Sequence, residues 1–135
     1  MTMISWDQTA ALNVEEIDSQ HQRLFALVND LHQAMSSPEG AGDLSRALEE
    51  LIDFTRVHFA TEESLMTRHA YPEYDKHRAE HLALLQDVGQ LLQRFRDGDV
   101  LIPFAIELDL EAWAIKHIET SDKPLAAFLN TKGIF

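Results

Sequence analysis

From His58 to His81 the chain reads HFATEESLMTRHAYPEYDKHRAEH, and two pairs of metal-ligating side chains lie within it. His58 pairs with Glu62 and His77 with His81, each four residues apart. On an α-helix that spacing places both side chains on one face, about 5–6 Å apart at Cβ. Two imidazoles so placed can grip one metal ion. An imidazole with a carboxylate can grip one ion and reach a second. The short link holding Tyr71 and Pro72 lets the two helices fold back on each other, so that the pairs face one another. The chemistry these residues suggest is a buried metal site.

The elements that must position them are legible as apolar stripes. Residues 1–17 show no steady period and read as an extended arm, pinned by Trp6, Leu12, Val14 and Ile17. A first helix is predicted from Asp18, a good N-cap residue, to about Ser36, with Leu24, Leu27, Val28, Leu31 and Met35 inward. His21 falls on that inward face. After the breaker-rich SPEGAG at 37–42, a second helix is predicted from about Asp43 to Arg68. Its stripe of Leu44, Leu48, Leu51, Ile52 and Thr55 continues through His58, Phe59, Glu62, Leu65 and Met66. A glutamate inside an apolar stripe is costly unless it is paired or bound to metal.

The third helix is predicted from about Glu73 to Arg96, with Tyr74, His77, His81, Leu84, Leu85, Val88, Leu92 and Phe95 inward. A fourth starts near Pro103 and carries Ile106, Leu110, Trp113, Ala114 and His117 on one face. Asp122 lies five residues past His117, about 140° away on a regular helix. Pro124 would also clash with the carbonyl of Thr120. A distortion between Ile118 and Lys123 that returns Asp122 toward His117 is therefore predicted, followed by a short helical tail to Asn130. The fold class is all-α. The architecture is an antiparallel up-down-up-down four-helix bundle over 18–130, with the arm at 1–17, in one domain spanning 1–135.

Taken singly, a histidine on an apolar face is more often a hydrogen-bonded core residue than a ligand, and HxxxE or HxxxH pairs are common on solvated surfaces. The joint pattern is different. Inward histidines and carboxylates occur on all four helices, at the start of the first and third and the end of the second and fourth. Antiparallel packing brings those ends together.

In that combination the sequence resembles the bacterial hemerythrins. The matching residues are Gln20–His21, HFATE at His58–Glu62, HRAEH at His77–His81 and HIETSD at His117–Asp122. Trp6, the IDSQH run into the first helix and the Tyr71–Pro72 link agree with it, so the resemblance covers essentially the whole chain. It implies a non-heme di-iron centre that binds O2 reversibly. His77, His81 and His117 would hold one iron and His21 and His58 the other, with Glu62, Asp122 and an oxo or hydroxo group bridging them. One position is then open to O2, on the iron held by His21 and His58.

Oxygen-activating di-iron bundles use more carboxylates and Glu-x-x-His spacing, so a histidine-rich centre favours binding over oxidation. Phe59, Trp113 and Ala114 are expected to line the O2 pocket, as well as packing in the core. The family usually has Leu after that Trp. Ala114 in its place implies a wider approach for O2 and for ligands such as azide or NO, with faster autoxidation. Asn13 stands where the family often has Gly, with little expected effect. Of the remaining histidines, His32 is expected to pack at the core boundary and His69 to be solvated. Tyr74 lies near enough to His77 to hydrogen-bond beside the metals.

Composition narrows the function further. A formal net charge of −12 over 135 residues disfavours nucleic acid and anionic membranes. The chain has no cysteine, which excludes disulfides and thiolate metal sites. No signal peptide or long apolar run is visible, so a cytoplasmic monomer is expected. Oxygen transport, storage or delivery, without enzyme activity and with an O2-consuming protein as recipient, is the favoured reading. An O2 or redox sensor, a di-iron peroxidase or oxidase, and iron or nitric oxide handling are the alternatives.

Overall fold

The computed structural model describes residues 11–35, 41–97 and 113–135. Three long helices, α1 (Glu15–Met35), α2 (Ala41–Arg68) and α3 (Tyr74–Arg96), are followed by a fourth, α4, described over 113–117. It runs into a π-helical turn, Ile118–Asp122, and then into α5 (Lys123–Thr131). There is no strand among the described residues. The chain is an all-α four-helix bundle. Trp6, the side chains of His32, Met35, Leu44 and Phe95, and the predicted start of the fourth helix lie outside what is described.

Two apolar clusters show the direction of each helix. One contains Phe25, Leu31, Leu48, Leu51, Val88 and Leu92. The other contains Ile17, Leu65, Met66, Tyr71, Leu125 and Leu129, together with Leu12 and Val14 of the arm. α1 begins in the second cluster and ends in the first. α2 runs the opposite way, α3 reverses again, and α4 leads back through Ile118, which touches both, to Leu125. The helices therefore alternate in direction. The predicted ligands on α1, α2 and α3 fall between each helix's contributions to the two clusters.

Helix ends differ from expectation where tertiary contacts decide them. α1 begins at Glu15, one turn before Asp18, whose N–H already donates to the Val14 carbonyl at 2.8 Å. The Asp18 carboxylate accepts from the Leu12 N–H at 2.8 Å and ties the arm down. Glu15, Glu16 and Asp18 all sit in the first turn, where the helix dipole favours negative charge. Asn13 takes the left-handed conformation that Gly would otherwise supply (φ 64°), one that Asn tolerates well.

α2 ends in a Schellman motif. The Tyr71 N–H reaches the Met66 carbonyl at 2.9 Å, with Ala70 in the left-handed position (φ 54°). α5 ends in the same way at Gly133 (φ 80°), where the Ile134 N–H reaches Leu129 O at 3.0 Å. Beyond it the Asn130 amide donates to the Ile134 and Asn13 carbonyls, joining tail to arm. His69, expected to be solvated, is half-buried at the end of α2. Tyr74 packs against the second cluster.

Candidate metal centre

Between the two clusters lies a polar layer. His21, His58, Glu62, His77, His81, His117 and Asp122 are all buried there, with Glu62 and His81 fully inaccessible. Each helix delivers its share by ordinary periodicity except α4, which needs the π turn. There the Lys123 N–H bonds to the Ile118 carbonyl five residues back. A single such turn brings side chains five apart onto one face. His117 Nε2 consequently lies 3.0 Å from Asp122 Oδ1. Pro124 follows in the first turn of α5, where its missing N–H does no harm.

All five imidazoles aim Nε2 at the two carboxylates, and the carboxylates divide them. On one side, His81 Nε2 is 3.0 Å and His77 Nε2 3.3 Å from Glu62 Oε1. His77 and His117 are each 3.0 Å from Asp122 Oδ1. On the other side, His58 Nε2 is 3.3 Å from Glu62 Oε2 and His21 Nε2 is 3.0 Å from Asp122 Oδ2. Each carboxylate thus turns one oxygen to the side of His77, His81 and His117 and the other to the side of His21 and His58. The seven side chains form two ligand sets that share Glu62 and Asp122.

The donor chemistry fits metal. His81 and His117 present Nδ1 to the Glu63 and Glu80 carboxylates at 3.2 and 3.1 Å, and a carboxylate can only accept. Nδ1 therefore carries the proton, which leaves Nε2 of a neutral ring as an acceptor facing carboxylate oxygen. Both Nε2 atoms, with Glu62 Oε2 and Asp122 Oδ1, are buried without a hydrogen-bond partner among the described residues. Acceptors facing acceptors at these distances repel unless a cation lies between them. Separations of 3.0–3.3 Å also match the edge of an octahedron with bonds of ~2.1 Å.

The charge balance points the same way. Burial and the neighbouring Asp122 push the Glu62 carboxyl up, yet the charge of His58 and the hydrogen bonds of His58 and His77 hold it far below the usual range. Burial also opposes ionisation of Asp122, and the imidazoles of His117, His21 and His77 around it overrule that. Burial lowers the His77 pKa, but Asp122 and Glu62 outweigh it and push the value up to about 9. His21 is raised against burial mainly by Asp122. The layer attracts positive charge. Without metal, protonated imidazoles provide it.

Aromatic rings fix the imidazole planes. Phe59 stacks on His81 at 3.7 Å between centroids and 5° between planes, and Trp113 stacks on His117 at 4.5 Å and 13°. Both also line, with Ala114, an apolar cavity of about 70 Å³ that runs from His21 and His58 into the first cluster. One water needs about 10–15 Å³ of such space, so a diatomic molecule fits easily. Thr55 is the one hydroxyl-bearing residue of the cavity wall among the described residues. It spends its hydroxyl proton on the Leu51 carbonyl at 2.7 Å.

The outer partners of the rings were not singled out in the sequence as functional. Gln20 Oε1 accepts from His58 Nδ1 at 2.7 Å and is itself held by its amide, which donates to Thr61 Oγ1 at 3.0 Å. Glu63 serves His81, and Glu80 serves both His117 and the Ser121 hydroxyl. The available signal was adjacency, since each stands directly beside a ligand in sequence.

Comparison with known proteins agrees with this layout. A family model described as "Hemerythrin HHE cation binding domain" matches residues 12–129. The bacteriohemerythrin of Stenotrophomonas maltophilia (strain R551-3) is 30% identical over 126 residues, covering 93% of this chain and 81% of that protein. That of Methylococcus capsulatus is 30% identical over 126 residues, covering 91% of this chain and 94% of that protein. A crystal structure of wild-type hemerythrin superposes with a TM-score of 0.89 at 27% identity, covering 95% of this chain and 98% of that one. With a match across the bundle and its polar layer, the chain belongs to the hemerythrin family.

Proposed function

We propose that this chain binds O2 reversibly at a di-iron centre held by His21, His58, Glu62, His77, His81, His117 and Asp122, for oxygen transport, storage or delivery in the cytoplasm. The observation that carries the reading is the division of five imidazoles, three against two, by two carboxylates that each face both sides. Two iron ions in those positions would supply the electrons that hold O2 and would recover them when it leaves.

The protein's own groups account for the rest. Glu62 and Asp122 remain ionised and offset the charge of two adjacent cations. The Gln20, Glu63 and Glu80 bonds keep Nδ1 of three rings protonated and Nε2 free to ligate. Both histidines of the two-histidine side line the cavity, so a small ligand approaching through apolar walls meets His21 and His58, with only His117 of the other three histidines on the wall. Phe59, Trp113 and Ala114 form part of those walls and exclude water, which would otherwise promote loss of the bound ligand as a reduced species. Azide and NO are small enough to use the same approach.

Metal analysis combined with an optical titration from anaerobic to aerobic buffer tests the proposal. Two irons per chain, and a visible band that appears with O2 and vanishes on its removal, are expected. Fewer than two metals, or a change that does not reverse, would refute it. Turnover of a reductant with hydrogen peroxide would indicate an enzyme, and O2-dependent capture of a second protein a sensor.

A further inference from the structure

The two halves of the centre differ beyond their ligand counts. On the three-histidine side, His81 and His117 donate Nδ1–H to carboxylates, Glu63 at 3.2 Å and Glu80 at 3.1 Å. On the two-histidine side, His58 donates to a neutral amide oxygen, Gln20 at 2.7 Å. His21 Nδ1 is buried with no hydrogen-bond partner among the described residues. An anionic acceptor raises the basicity of the ligating nitrogen more than a neutral one does, because the partial charge it draws off the ring is stabilised by a full negative charge.

We infer that Glu63 and Glu80 on one side, against Gln20 on the other, make the three-histidine half the tighter metal position, so that the centre fills in a fixed order. This rests on the proposal that the seven residues hold two metals. It adds which half fills first and which residues decide it.

The geometry favours differential tuning over simple scaffolding. Glu80 is one-third exposed and shares its oxygen with the Ser121 hydroxyl in the π turn, so the same carboxylate that polarises His117 also anchors the segment carrying Asp122. Glu63 is one-quarter exposed, and Arg78 Nε lies 3.4 Å from its other oxygen. Gln20 is locked by Thr61 with its oxygen toward His58, because only the amide nitrogen can donate to Thr61. That side therefore has a fixed acceptor without charge. A functional consequence follows. At limiting metal the chain stops as a one-metal species on the three-histidine side, with the position between His21 and His58 unfilled, and is silent to O2.

The test is a titration of metal-free protein with Co2+ under anaerobic conditions against a competing chelator, read by the cobalt absorption. The wild type should bind two ions with unequal affinity. His81→Gln should remove the tight class and His58→Gln the weak one, which assigns each class to its half. Glu80→Gln and Glu63→Gln keep shape and hydrogen-bond capacity but remove the charge. Each should weaken the tight class by about 10–100-fold and leave the weak class unchanged. Gln20→Glu should strengthen the weak class and shrink the gap.

Thermal unfolding of the metal-free variants separates tuning from scaffolding. An unchanged Tm alongside a moved affinity supports tuning. Equal loss at both sites, equal sites in the wild type, or a tight class that follows His58 would overturn the inference. Fewer than two cobalt ions in the wild type would instead overturn the di-metal reading on which it stands.

Discussion

Ala114→Leu offers a quantitative check on the cavity. Ala114 is half-buried on the cavity wall beside Trp113, one turn before His117. The cavity of about 70 Å³, at roughly 24 cal/mol per Å³ for unfilled core space, corresponds to about 1.7 kcal/mol. Carbon counting gives a similar ceiling: three added carbons at about 0.8 kcal/mol each come to about 2.4 kcal/mol if fully buried. Partial exposure of the site and imperfect fit reduce that. The substitution should therefore stabilise the metal-free protein by about 1–2 kcal/mol, a rise in Tm of roughly 4–8 °C. It should also obstruct the approach to His21 and His58. If the added side chain raises the barrier to solvent access by about 1 kcal/mol, autoxidation of the iron-loaded protein slows about fivefold. Calorimetry of the metal-free chain and the decay of its oxygenated spectrum measure the two effects separately. A loss of stability exceeding 1 kcal/mol, or an unchanged autoxidation rate, would show that residue 114 does not shape this cavity.

Ala70→Gly should stabilise the fold by about 0.5–1 kcal/mol in urea unfolding, since relief of the left-handed strain exceeds the entropy cost of glycine. Gly133→Ala should cost about 1 kcal/mol on the same measure, because nothing crowds its Cβ and only backbone strain remains. The metal-free chain should lose stability in alkali. The His77 pKa is raised from 6.5 to about 9, so its contribution, on the order of 3 kcal/mol at most, is complete below about pH 6.5 and is lost as pH rises through about 9. Thermal midpoints from pH 6 to 10 would detect the decline, and a flat profile would contradict it. Chelation should lower Tm in proportion to occupancy, with about 2.7 kcal/mol of stabilisation present when free metal stands at 100 times its Kd.

The stripes of α1, α2 and α3 were readable because apolar residues recur at steps of three and four, and the same steps carry His58–Glu62 and His77–His81 inward. A glutamate at a core position was the strongest local clue to the site. The start of α1 was misplaced by one turn, since the partner of the Asp18 carboxylate is the Leu12 N–H, a contact no propensity scale contains. The return of Asp122 toward His117 was foreseen from the five-residue spacing and Pro124. Its form, a single π turn closed by the Lys123 N–H, was not. Which acids would serve as outer acceptors was hidden for another reason. Glu63 and Glu80 look like solvated helix-surface residues in sequence, and only the packing angle between helices selects them over exposed neighbours such as Glu73.

Those outer acceptors also bear on how the bundle finds its register. Gln20 on α1 bonds a ring on α2, Glu63 on α2 bonds a ring on α3, and Glu80 on α3 bonds a ring at the end of α4. Each residue directly beside a ligand thus grips a ligand of the next helix. A rotation of α2 or α3 would break bonds to both neighbouring helices, and a rotation of α1 or α4 a bond to one. Apolar packing in the two flanking clusters tolerates small rotations, whereas these bonds lose most of their strength within a few tenths of an ångström or tens of degrees. The clusters supply most of the stability, and the polar layer between them sets the angular register. The side chains that hold the candidate ligands in place are therefore also the ones that align the helices, so a substitution that removes the bond, such as Glu80→Ala, should disturb metal affinity and helix packing together, whereas Glu80→Gln keeps the bond and should move affinity alone.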